Sequence, residues 1–159
     1  MKPCYRISLF LMLGTIVLSA CNNTIVFEKN IPVVNSIWER STLVEIEFTI
    51  QDTINPVNLT FNIRHSTDYA FSNLFLFIET RYPDGRGIRD TLEVILAGHD
   101  GRWFGKGFGK IKELNIPVRK NLVFPMKGDY MFIFEQAMRV EALKGIEDIG
   151  ITIEKSQSN

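Results

Sequence analysis

Apolar side chains recur at every second position through most of this chain, a spacing that admits strands and little else. Val44, Ile46, Phe48 and Ile50 alternate with Glu45, Glu47 and Thr49. Val57, Leu59, Phe61 and Ile63 alternate with Asn58, Thr60, Asn62 and Arg64. The same rhythm returns at Leu92, Val94 and Leu96, at Tyr130, Phe132 and Phe134, and at Ile149, Ile151 and Ile153. Successive strand side chains point to opposite faces, so each run offers one face to a core and one to water. The run Leu74-Phe75-Leu76-Phe77-Ile78 is apolar on both parities, which predicts a central strand covered on both faces. Turn signals separate the runs: Pro83-Asp84-Gly85-Arg86-Gly87, His99-Asp100-Gly101 and Lys127-Gly128-Asp129. Several short strands between such turns predict an all-β fold. The architecture expected is an antiparallel β-sandwich, with a jelly-roll-like arrangement among its forms and little helix. Only Glu135 to Lys144 hints at a helical turn.

The N-terminus follows a different rule. Lys2 and Arg6 precede an uncharged apolar stretch from Ile7 to Leu18, the charged and hydrophobic regions of a secretory signal. The stretch falls short of the roughly 20 apolar residues that span a bilayer. Leu18-Ser19-Ala20-Cys21 then has the pattern of a bacterial lipobox, with small residues that fit a peptidase site directly before a cysteine. The expectation is a signal peptide over 1–20, with Cys21 as the acylated first residue of the mature chain. One acyl chain binds a membrane weakly and two hold it, so a multiply acylated cysteine anchors without a transmembrane helix. Residues 21–32 read as a lipidated tether running into an edge strand, and 33–159 as a single β-sandwich domain.

Removing 20 of 159 residues leaves 139, enough for one domain with a real core. The chain has 18 basic and 18 acidic residues; losing Lys2 and Arg6 leaves 16 against 18, a formal charge of −2. With no basic excess, no nucleic-acid partner is expected. Cys4 leaves with the signal and Cys21 is acylated, so the folded domain has neither a disulfide nor a cysteine-type zinc site.

Tests for catalytic chemistry return little. Gly101, Gly105, Gly107 and Gly109 do not follow the phosphate-binding spacing, and Ile111-Lys112-Glu113 opens no amphipathic helix. Alternating glycines leave one face of a strand bare, so that another backbone or a large ring can lie against it, with Trp103, Phe104 and Phe108 as the nearby rings. His65 and His99 have no ligand at metal spacing beyond Asp68 and Asp100. Ser66 and Ser72 sit on no G-x-S-x-G elbow. Glu79, Asp84, Asp90 and Glu93 are carboxylates that a glycosidase would need to bring face to face. No enzymatic activity, no metal and no cofactor is expected. Aromatics make up 11% of the chain, enough to fill a core and leave some over. Trp103, Trp38, Tyr69 and Tyr82 have polar atoms suited to half-wet positions, so they are the candidates for an exposed aromatic binding patch.

Several segments together resemble the gliding motility lipoprotein GldH family of the Bacteroidetes. Beside the lipobox and Val26-Phe27, these are Asp68-Tyr69-Ala70-Phe71-Ser72-Asn73-Leu74, Asp90-Thr91-Leu92-Glu93, and Gly101-Arg102-Trp103-Phe104-Gly105-Lys106-Gly107-Phe108-Gly109. Tyr130-Met131-Phe132, Glu135-Gln136-Ala137-Met138-Arg139 and Leu143-Lys144-Gly145-Ile146-Glu147-Asp148 complete the likeness. The resemblance implies a lipid-anchored, non-catalytic envelope protein associated with gliding machinery. In a host that does not glide it implies a part in envelope assembly or secretion. It implies an envelope protein complex as partner and carries over only the lipidated cysteine, at Cys21. Asn22-Asn23 lacks an acidic cluster after the cysteine, which points to the periplasmic face of the outer membrane. The alternative function is a lipid-anchored carbohydrate-binding module, which needs Trp or Tyr rings lining a groove.

Overall fold

The computed structural model describes residues 24–156. The signal segment and Cys21 lie outside the described residues. Among the described residues ten strands form: β1 (Ile25–Pro32), β2 (Ile37–Glu39), β3 (Val44–Ile50), β4 (Val57–Ser66), β5 (Asn73–Arg81), β6 (Gly87–Ile95), β7 (Ile111–Leu122), β8 (Gly128–Gln136), β9 (Ala142–Lys144) and β10 (Ile146–Lys155). One 3-10 turn, Val34–Ser36, joins β1 to β2.

The long strands make two four-stranded sheets, ordered β1-β10-β4-β7 and β3-β8-β5-β6, and β2 pairs with β9 in a small third sheet. Every pairing is antiparallel. Leaving aside the small sheet, the eight long strands in chain order fall into the two sheets as 1-8-3-6 and 2-7-4-5. This interleaving is that of a jelly roll.

Alternation explains the packing. In β3 the buried residues are Val44, Ile46, Phe48 and Ile50, and every intervening residue is exposed. Phe61 of β4 meets Phe134 of β8 across the sandwich, ring centroids 5.5 Å apart. Phe27 of β1 meets Phe48 of β3 at 5.5 Å, closing that edge of the sandwich. Both faces of β5 are apolar for different reasons. Leu74 and Leu76 are fully buried inward. Outward, the guanidinium of Arg89 lies 4.4 Å from the centre of the Phe77 ring. The backbone N–H of Phe75 approaches the Met138 sulfur at 3.3 Å, so the 137–141 loop covers that end.

The helical turn expected near Glu135–Lys144 does not form. The segment ends β8, bends, and returns as β9. Gln136, with no exposed surface, fixes the bend: its Nε2 donates to the Val140 carbonyl at 2.9 Å and its Oε1 accepts from the Met138 N–H at 2.9 Å.

The topology gives the molecule two poles. Lys155 N–H donates to the Thr24 carbonyl and Ser156 N–H to the Pro56 carbonyl, while Gly128 lies against Pro83. One pole therefore gathers the start of β1, the end of β10 and the 51–56, 82–86 and 123–127 turns. Thr67 N–H donates to the Lys110 carbonyl, and Leu96 N–H to the Ser72 carbonyl. The other pole therefore gathers the 67–72, 96–110 and 137–141 loops. A ten-residue strand such as β4 puts roughly 30 Å between the two.

Candidate functional site

The pole far from Thr24 is built around a glycine-rich hairpin. Ala97 and Trp103 form one antiparallel bridge, Lys106 and Glu113 another. Gly105 has φ +88, and a Cβ there would collide with the Glu113 carbonyl oxygen; Gly107 has φ +148, and a Cβ would collide with the Ile111 carbonyl oxygen. Backbone lies against these two glycines, as their close spacing led us to expect, although they sit in a folded-back loop and not in a strand. Lys110 Nζ holds Asp68 at 2.9 Å, clamping the hairpin to the neighbouring loop.

Beneath the hairpin sits an aromatic cluster. The Trp103 ring is 4.8 Å from the His65 ring and 6.4 Å from the Tyr69 ring, and Tyr69 meets Phe71 edge-on at 5.7 Å. His65 has no exposed surface. Its Nδ1 lies 3.0 Å from the Ser66 carbonyl, and its Nε2 has no partner. Burial lowers its pKa from 6.5, and the charge of Lys112 lowers it further against an upward pull from the Ser66 carbonyl. Burial pushes the Tyr69 phenol up; its hydroxyl donates to the Asn73 carbonyl at 3.0 Å.

The four aromatic candidates do not share a surface. Trp38 is 1% exposed and donates its Nε1 hydrogen to the Thr42 carbonyl at 2.8 Å, sealing the core beneath β2. Tyr69 is 4% exposed. Trp103 is half-buried in the His65 cluster. Tyr82 lies at the opposite pole against Tyr130 at 5.6 Å, with Arg86 over its ring. The expected exposed patch is therefore corrected: a hydroxyl or indole N–H is satisfied by one nearby carbonyl, which lets the rest of the ring go inside. The exposed rings are instead Phe104, 47% exposed, and Phe108, which is wholly exposed. The signal that marks Phe108 in the sequence is a ring between two glycines, Gly107 and Gly109, with no alternating neighbour to share a buried face.

The sheets part along the β6 and β7 edges, opening an apolar cavity of about 450 Å³ lined by Ile78, Ile88, Leu92, Val118 and Phe132, with Asp90 and Arg119 also on its wall. The carboxylates that could have formed an acidic cleft are dispersed. Glu79 pairs with Arg81 and Asp84 with Arg86, Glu93 accepts from Asn73, and Asp90 stands at the cavity. Asp148 and Arg64 form an ion pair on the solvent side of the other sheet. Among the described residues no group of three His, Cys, Asp or Glu side chains is placed to hold a metal.

The model of the family described as GldH lipoprotein matches residues 25–153. A gliding motility lipoprotein GldH homolog from Christiangramia forsetii is 36% identical over 159 residues, covering 95% of this chain and 97% of that one. The gliding motility lipoprotein GldH of Flavobacterium johnsoniae is 36% identical over 152 residues, covering 91% and 94%. Among solved structures, CBM35 from Cellvibrio japonicus aligns over 84% of this chain and all of its own at 13% identity, with a TM-score of 0.33. That likeness is too slight to bear on fold or ligand.

Proposed function

Since this chain belongs to the GldH lipoprotein family, we propose that it is a lipid-anchored, non-catalytic component of an envelope complex that serves gliding motility. In a host that does not glide, the same build would serve envelope assembly or secretion. The acyl chains would sit on Cys21, and the domain would stand on the periplasmic face of the outer membrane.

The observation that carries this reading is the place where the chain enters the fold. Thr24 already bonds to Lys155 at one pole. Three peptide steps, through Asn22 and Asn23, separate it from Cys21, a reach of about 11 Å when fully extended. A lipid on Cys21 would therefore hold that pole at the membrane and point the glycine-rich hairpin away from it. Two of the polar groups buried in the domain have structural work: Gln136 fixes a bend and Asp148 pairs with Arg64. A protein whose titratable groups hold loops and sheets together suits a scaffold better than a catalyst. The carbohydrate-module reading loses two of its four rings, with Trp38 and Tyr69 inside the core.

Replacing Cys21 with serine in the full chain tests the anchor. The expected result is loss of palmitate incorporation and release from the membrane fraction, since the two acyl signals that hold a protein stably are gone. A Cys21→Ser protein that still labels and sediments with membranes would overturn the reading.

A further inference from the structure

Phe108 is the apolar side chain with least cover in the described domain. Its ring is fully exposed, and backbone hydrogen bonds hold the two ends of the tip that presents it. The Lys106–Glu113 bridge closes the hairpin behind it with N–H···O distances of 2.9 and 2.7 Å. Gly107 presses on the Ile111 carbonyl, and the Lys110 backbone and side chain are tied to Thr67 and Asp68. The ring points outward between Gly107 and Gly109, with Phe104 half-exposed in the same loop, resting on Gly98.

The charge around it has a small cationic excess. From Gly98 to Lys110 stand Arg102, Lys106 and Lys110 against Asp100, with Asp68 of the neighbouring loop on Lys110, a formal +1. Arg102 is met by Asp100 at 3.5 Å and Lys110 by Asp68, whereas Lys106 and Lys112 have no ion pair among the described residues. A wholly exposed aromatic ring with the unpaired Lys106 two residues away is the build of a binding hot spot. Such a surface would also suit an anionic bilayer. The anchored membrane, however, is at the other pole, roughly 30 Å away along the strands, so the hairpin faces the aqueous side.

We propose that the Phe108 hairpin is the contact through which the anchored domain docks onto a protein partner whose surface offers an apolar socket rimmed by carboxylates. This rests on the anchored-component reading and names the partner's chemistry. Phe108 inserts in the socket, and Lys106 and Arg102 meet the acidic rim.

The test places a photo-crosslinking phenylalanine analogue at position 108 of the full lipidated chain in its own host, with Ile54 as the control position. Ile54 is 83% exposed and lies at the Thr24 pole. Illumination is expected to give a protein adduct from 108 and not from 54. Lys106→Glu with Arg102→Glu should weaken the adduct about tenfold, equivalent to about 1.4 kcal/mol. The crosslinked peptide should contain Asp or Glu, and reversing those carboxylates to lysine should restore the adduct with the Lys106→Glu chain. Phe108 makes no core contact, so these variants should keep the parent's melting temperature. No adduct from 108, an adduct only to lipid or to a second copy, or an adduct indifferent to the charge reversals would overturn the proposal. Membrane fractionation of the same cells separates this failure from a failure of anchoring.

Discussion

His65 shows what a single buried residue imposes on the domain. Its imidazole is enclosed by Trp103 and Tyr69, and Nε2 has no hydrogen-bond partner. In the unfolded chain the ring titrates at its ordinary value near 6.5; in the fold, burial moves that value down. Above pH 6.5 the neutral ring's contribution to stability is fully present. As pH falls below 6.5 the unfolded state takes the proton first, and stability declines until the folded state's own pKa is passed. Denaturation measured across this range should show a slope of at most about 1.4 kcal/mol per pH unit. That slope should be absent in His65→Leu. A His65→Leu protein with the parent's slope would assign the proton uptake elsewhere. Gln136 makes a second residue-scale case, since Gln136→Leu keeps the volume but strands the Met138 N–H and the Val140 carbonyl. The expected cost is about 1–3 kcal/mol in unfolding free energy, readable as a fall in melting temperature. Neither role was legible in the sequence. Alternation says that a position faces inward, but not whether a polar group there will find a partner.

At the level of elements, the strands with unbroken alternation were legible, because one apolar face fixes both the strand and its orientation. β3, β4 and β10 are of this kind, whereas β8 carries Met131 and Ile133 on its other parity. β7 was not foreseen, although Leu114, Ile116 and Val118 alternate in it, because Pro117 argues against a strand. An edge position removes the objection: β7 has a neighbour on one side alone, so a missing N–H can face solvent. The 135–144 segment misled in the opposite sense. Its composition suits a helical turn, yet Gln136 and the pairing of Trp38 with Leu143 hold it as a bend and a short strand. For the glycine hairpin, close approach was legible in the spacing, but not the direction in which the intervening rings point. The hairpin is also where two substitutions should diverge. Gly105→Ala meets both a positive φ and the Glu113 carbonyl, and should lower unfolding free energy by about 1–3 kcal/mol. Phe108→Ala removes a ring with no internal contacts and should change it by less than about 0.5 kcal/mol. Chemical denaturation of the two variants side by side checks the contrast; a comparable loss in both would mean that the Phe108 ring packs inward.

The whole molecule is a jelly roll with two distinct poles, and in the proposed arrangement one is held at the membrane while the other is presented. Sequence periodicity could not have given this polarity. It follows from strand pairing, which brings the start of β1 beside the end of β10 and the 51–56 turn, and pairing is set by contacts distant in the chain. The lipobox, by contrast, is legible in the sequence alone, and it lies outside the described residues. Joining the two gives the central claim: a non-catalytic domain, anchored on Cys21, that works as part of an envelope assembly. The measurement that tests it most directly is the mass of the lipidated protein after extraction from its own host in a mild detergent, with the co-migrating proteins identified by mass spectrometry. The account predicts migration in an assembly larger than the chain and its detergent, containing other envelope proteins and shrinking to the single chain when Phe108 is changed to aspartate. A folded, fully lipidated chain that migrates alone from membranes extracted without loss would contradict it.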